Sequence, residues 1–150
     1  MEFPSRTDLY SIEEGTQLQA LFDASGLIPV VTQDDTSLEV LMLGWMNREA
    51  LERTIRTGMA HYWSRARQQL WQKGERSGQA QVVRHILIDD DQDCLLLKVV
   101  LTGGASCHVG YRSCFFRELN VFGGETDFSL TMLETEKVYD PQQAYGEHHA

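Results

Sequence analysis

The sequence has no apolar run near the ~20 residues that a membrane span needs. Its first twenty residues are polar and acidic, without the apolar stretch of a secretory signal. Neither a membrane role nor export is expected, and the chain reads as cytoplasmic. Basic charge is scarce: 13 Lys and Arg stand against 22 Asp and Glu, a formal net charge of -9. That deficit argues against nucleic-acid or anionic-membrane partners, which need a basic surface. A small anionic substrate stays open, because Arg65, Arg67, Lys73 and Arg76 cluster locally. Cysteine is sparse and odd in number, with Cys94, Cys107 and Cys114. Three cysteines make a poor disulfide framework, which leaves metal ligation, reactive thiols or buried free thiols. Repeats and low-complexity segments are absent too.

What is present fits one folded domain. The chain has 150 residues and 42% hydrophobic content, enough for a core. The expected core runs from about 26 to 117, with a polar tail over 134–150. Residues 12–24 pattern as a short amphipathic helix that Gly26 ends. Leu27–Thr32 and Leu38–Trp45 read as strands around a turn at Asp34–Ser37, a hairpin. Asn47 is a good N-cap for a helix over 48–57, and Gly58 sits where a C-terminal glycine would. His61–Ser64 reads as a short strand, and 64–78 as a functional loop. Gln81–Ile88 and Leu95–Leu101 flank an acidic turn and form a second hairpin. The fold class expected is α+β, mostly antiparallel β hairpins with a few short helices.

Three stretches could carry chemistry. Cys107-His108-Val109-Gly110-Tyr111-Arg112-Ser113-Cys114 puts two thiols and an imidazole within eight residues, and these are ligands zinc prefers. Gly110 would let the backbone turn sharply and bring the sulfurs together. Two core cysteines beside a surface histidine is the competing reading. Asp89-Asp90-Asp91-Gln92-Asp93 packs four carboxylates into five residues. Such hard oxygen donors suit Mg²⁺ or Ca²⁺, although a solvated hairpin turn is the commoner use of an acidic run. The stretch from Trp63-Ser64-Arg65 to Lys73, Ser77 and Gly78 mixes cations, hydroxyls and glycines that suit phosphate. Trp63 and Trp71 could stack on a base or sit in the core.

Taken in order, these segments resemble the phosphoribosyl-AMP cyclohydrolase family. The resemblance runs from about Gly26 to Arg117. It covers GLIPVVTQD (26–34), VLMLGWMN (40–47) with Glu49-Ala50-Leu51, YWSR (62–65), LWQKGERSG (70–78), the acidic cluster and CHVGYRSCF (107–115). The family implies a metal-dependent hydrolase of histidine biosynthesis that opens the N1–C6 bond of the adenine ring in phosphoribosyl-AMP. It implies an intertwined homodimer with active sites at the subunit interface. It implies a catalytic zinc on three cysteines, two of them matching Cys107 and Cys114, and Mg²⁺ on Asp89, Asp91 and Asp93. His108 is the candidate to move protons, because imidazole titrates near neutral pH. Trp63, Ser64, Arg65, Lys73, Ser77 and Gly78 are the candidates for substrate binding.

One position departs from the family. Its third zinc cysteine falls at Asp90 here. Cys94 lies four residues on, ~13 Å along an extended chain, while a zinc–ligand bond is only about 2.0–2.3 Å. Asp90 is therefore the expected substitute ligand. A Cys94 ligand would require the hairpin to fold back sharply, and loss of the third ligand is the remaining case. Carboxylate is harder than thiolate, so Fe²⁺, Mn²⁺ or Co²⁺ becomes more competitive with zinc, as in a zinc-sparing paralogue. The alternatives are a catalytically weak paralogue that binds metal or nucleotide, and a hydrolase of another purine nucleotide.

Overall fold

The structure, a computed structural model, describes residues 2–120 and 128–145. A four-stranded sheet, in the order β2-β1-β6-β5, organises the chain. β1 (Ile28–Asp34) and β2 (Val40–Met46) form the first expected hairpin, and β5 (Gln81–Ile88) and β6 (Leu95–Leu101) the second. β1 and β6 then join the two hairpins in parallel, Val30 to Asp34 beside Leu95 to Val99. Helix α2 (Arg48–Thr57) has Asn47 accepting from the Ala50 N–H at its start and left-handed Gly58 at its end. Such a cap is worth about 1 kcal/mol. The α+β class with mostly antiparallel pairing is as expected.

Alternation sets the core. Ile28, Val30 and Thr32 of β1 and Leu95, Leu97 and Val99 of β6 are all buried on one face. Leu41, Met42, Met46, Leu51 and Tyr62 close over them. The opposite face carries Leu43, Val31, Leu96 and Leu87 in one row across the four strands. Leu43 and Leu87 are exposed there.

Three expectations are corrected. The N-terminal helix is α1 (Leu9–Glu14), capped by Asp8, and does not span 12–24. Leu18 to Phe22 run without helix, because Gln92 takes their backbone instead: its carbonyl accepts from the Leu21 N–H at 2.8 Å. The core reaches beyond 26–117, since Ile12 is buried and Phe3, Ala20 and Phe22 pack on the cluster. The segment 64–78 holds β4 (Gln69–Gln72), paired with β3 (His61–Ser64), because Leu70 and Trp71 pack on the core. A two-stranded ribbon follows, β7 (Arg117–Leu119) with β8 (Leu130–Met132). The polar tail contains α3 (Pro141–Tyr145), with proline in its first turn and the Asp140 carboxylate accepting from the Gln142 N–H. His148 and His149 lie outside the described residues. Among the described residues no helix is long and apolar enough to cross a membrane.

Candidate functional site

The strand directions put the two candidate ligand groups at opposite ends of the sheet. Gln81 opens β5 beside Ser106, and the acidic turn follows Ile88 at the other end. Seven residues of strand separate the ends by ~23 Å.

At the first end the chain from Ser106 to Cys114 closes on itself. The Ser106 N–H donates to Arg112 O, the Cys107 N–H to Tyr111 O and the Gly110 N–H to Cys107 O. Gly110 has φ +111, and a Cβ there would stand 2.5 Å from Tyr139 O, so this turn needs glycine. Arg112 anchors the loop to the first hairpin through Glu39 at 2.6 Å and Asp34 at 3.4 Å. The Ser113 hydroxyl donates to Val40 O, and the Cys114 N–H to Leu41 O. The loop therefore stands fixed against the edge strand β2.

This closure brings the thiols of Cys107 and Cys114 near enough for each to shift the other's titration. Cys107 is pushed well below the usual thiol range, first by the Cys114 thiol donating to it; the Val109 N–H (3.4 Å) and the charge of His108 assist, against a burial effect that opposes. Cys114 is exposed, and its thiol is pushed up first because its proton is held by Cys107 and then because the sulfur is partly desolvated. The pair thus shares one proton and readily exposes a thiolate, the form that binds a metal. His108 follows directly and is exposed.

Of the residues read as substrate-binding, Lys73 lies nearest the cysteines. It is buried, its ammonium donates to Ser106 O, and its charge reaches Cys114. It sits 5.4 Å over the Trp71 ring, which in turn packs against Tyr62. Trp71 is thereby a wall of the core and does not stand free to stack on a base. Ser77 and Gly78 border the same end, with Gly78 O accepting from Thr102 Oγ1 at 3.0 Å. Trp63 is half-buried opposite Leu70. Ser64 closes β3, and its hydroxyl accepts from the Arg67 N–H. Arg65 is exposed past the strand end, its guanidinium 4.6 Å over Trp45. Arg65 and Lys73 therefore flank opposite ends of the β3–β4 hairpin, ~16 Å of strand apart, since Lys73 lies opposite Ala60.

At the far end the acidic turn folds back tightly. The Asp89 N–H donates to Cys94 O, and the Asp89 carboxylate accepts from the N–H groups of Asp93 and Cys94. Cys94 thus stands across the turn from Asp89, and the ~13 Å of an extended chain does not separate it from the aspartates. Its thiol is half-buried and directed at Leu95 O, 3.7 Å away. Carboxylate oxygens of Asp89, Asp90 and Asp91 lie within 4.8 Å of one another, all exposed. Asp93 is raised to about 6 by its side-chain contacts with Asp91 and then Asp89. Hard donors gathered so closely fit a divalent cation, as the thiol pair fits a softer one.

The sequence reading missed the buried polar residues behind the thiols: Thr32, Tyr62, Gln81 and Ser106 are all at most 1% exposed. Only one sign was available, a glutamine opening β5 ahead of two valines. It also missed Gln92, buried in the acidic turn with φ +58. The Gln92 side chain accepts from the Gln19 N–H at 2.6 Å and donates to Ile12 O at 2.8 Å. The guanidinium of Arg6 adds a bond to Asp91 O at 2.9 Å.

A family model described as phosphoribosyl-AMP cyclohydrolase matches residues 42–116. Curated relatives carrying that name include one from Methanococcoides burtonii, 53% identical over 124 residues, covering 83% of this chain and 93% of the relative. A second, from Rhodopseudomonas palustris, is 48% identical over 135 residues and covers 90% and 89%. A third, from Methanosarcina barkeri, is 53% identical over 126 residues and covers 84% and 89%.

Proposed function

The chain belongs to the phosphoribosyl-AMP cyclohydrolase family, and from that premise we propose that it hydrolyses the N1–C6 bond of the adenine ring in phosphoribosyl-AMP, in histidine biosynthesis, with a metal held by Cys107 and Cys114. The observation that carries the metal is the closed loop from Ser106 to Cys114, which folds the two cysteines back toward each other on a glycine turn, with Cys107 lowered toward thiolate. A divalent ion bound there supplies a water of pKa near ~7, nucleophilic enough for C6 at neutral pH.

The chain's own residues do the rest. His108, exposed beside Cys107, takes a proton from the attacking water and returns it to N1 as the N1–C6 bond breaks. Lys73 holds the cysteine loop and adds positive charge where negative charge develops. Ser77, Gly78 and Arg65 receive the phosphate ends, with Ser64 and Trp63 alongside. Asp89, Asp91 and Asp93 would hold Mg²⁺, which would screen negative charge there.

A single chain leaves this set divided, with ~23 Å of sheet between thiols and carboxylates. A homodimer resolves it, each acidic turn completing the thiol pair of the other copy. The apolar row Leu43, Val31, Leu96 and Leu87 supports such pairing, since soluble chains seldom leave an apolar stripe across a sheet face open to water. Asp90 is the third ligand in this reading, and its harder oxygen widens the choice of ion to Fe²⁺, Mn²⁺ or Co²⁺ beside Zn²⁺.

The test is turnover of phosphoribosyl-AMP by metal-stripped protein reloaded with one ion at a time. Activity restored by Mn²⁺ or Co²⁺ as well as by Zn²⁺ is expected. Full activity in the stripped protein would refute the metal. Absence of turnover with every ion, in a protein that still binds nucleotide, would favour the catalytically weak paralogue.

A further inference from the structure

Buried polar side chains need partners, and an unpaired one costs about 1–3 kcal/mol. Four of them line up behind the thiols and connect three strands to the cysteine loop. Thr32 of β1, Tyr62 of β3 and Gln81 of β5 are each 0% exposed, and Ser106 is 1% exposed. Thr32 Oγ1 and Tyr62 Oη stand 2.7 Å apart, and the Tyr62 hydroxyl donates to Gln81 Oε1 at 2.6 Å. Tyr62 has one proton to give, so Thr32 is the donor to it. Gln81 Nε2 donates to Ser106 Oγ at 3.3 Å and faces Met42 Sδ at 3.3 Å. A thioether sulfur accepts and cannot donate, which fixes that end of the amide as the NH₂.

The direction of every bond follows. Ser106 Oγ accepts from Gln81, so its own proton is free to point onward, and its side chain draws the Cys114 thiol downward against the larger effects that raise it. The fold makes room for this line. A Cβ on Gly44 of β2 would come 2.8 Å from the Tyr62 ring, so the ring rests on a strand position where only glycine leaves space.

We propose that Thr32, Tyr62 and Gln81 are positioning residues: a one-way series of donors that turns the Ser106 hydroxyl toward the Cys114 sulfur and holds that sulfur against Cys107. The inference rests on the reading of this pair as a metal site. Outer partners that orient a ligand typically govern metal affinity about 10–100-fold.

The test compares the unaltered protein with Ser106→Ala and with the double variant Gln81→Met with Tyr62→Phe. The double change removes both members of the Tyr62–Gln81 bond together, so that of this line only the Thr32 hydroxyl loses its partner within the core. Each protein is titrated with Co²⁺, reading the sulfur-to-cobalt absorption band. Both variants are expected to bind Co²⁺ about tenfold more weakly or worse. Both should shift the band to lower energy, because a sulfur without its donor is more electron-rich. A shift in band energy is something a merely structural contact would not produce. A folded double variant with unchanged affinity and an unchanged band overturns the proposal.

A second arm needs no metal: labelling of Cys107 and Cys114 by a disulfide reagent in the stripped protein. Labelling in the double variant is expected to be at least about threefold faster, as the loop loosens around the thiols. If Co²⁺ gives no sulfur band even in the unaltered protein, the metal reading fails. The labelling arm then decides alone, and an unchanged rate overturns the positioning role.

Discussion

The two ends of the sheet hold their reactive groups in opposite ways. At the cysteine end the sulfurs stand on a loop pinned by buried Ser106, Gln81 and Tyr62 behind, and by buried Ser113 and half-buried Arg112 at the side. At the acidic end the carboxylates face water, and what is buried is the one uncharged residue among them, Gln92. Soft ligands that must be close to one another stand on a loop braced from the interior, with Cys107 buried and Cys114 at the surface. Hard ligands that repel are left solvated, with the turn beneath them tied to the N-terminal segment. A pair that must keep one geometry gains from a rigid surround. A carboxylate cluster gains from water while no cation screens it.

Cys107→Ser should break this contrast most severely. Losing one sulfur should lower turnover by roughly a thousandfold or more, since the water is no longer activated. Bound metal measured on the purified variant should fall with it, and full metal content would contradict the assignment. Asp90→Cys comes next. It replaces an oxygen donor by the softer thiolate, and preference for Zn²⁺ over Mn²⁺ in competitive loading should rise by about tenfold or more.

Most of the hairpin framework was legible in the residues, because alternation in 81–88 and 95–101 and the caps Asn47 and Gly58 are local signals. The parallel joining of β1 to β6 was not, since it pairs residues about sixty-five apart and no local pattern encodes it. Residues 18–22 misled for a related reason: their apolar spacing suits a helix, but a distant glutamine claims their backbone. At the site, Gly110 announced the sharp turn correctly. The burial of Lys73 and the line from Thr32 to Ser106 exist only once four segments meet.

A smaller effect separates the two ends by pH. The folded-state value of Asp93 is raised from 3.8 to about 6 by its neighbours Asp91 and Asp89. The native chain thus binds that proton more tightly than the unfolded chain does. The associated stability is present below the unfolded value and is lost as pH rises through about 6. Thermal melts of the metal-free protein between those values should show a falling midpoint, and Mg²⁺ should flatten the fall. An identical slope with and without Mg²⁺ would remove the turn from consideration as a cation site. The mildest test is Gln92→Gly, which suits the left-handed backbone and deletes the side chain with its amide. It should cost about 1–3 kcal/mol in denaturant unfolding, from the bonds left unmade at Gln19 and Ile12. Co²⁺ binding at the cysteines should stay intact.

The division of the site between two copies is open to a direct mixing experiment. One inactive protein carries Cys107→Ser, and the other carries Asp90→Ala together with Asp91→Ala. After unfolding and refolding together, half of the dimers are mixed, and each mixed dimer has one site in which both contributing chains are intact. Recovery of about a quarter of the unaltered activity is the expected result. Activity that stays at the level of the separate variants would show that each chain completes its own site, and would contradict the shared one.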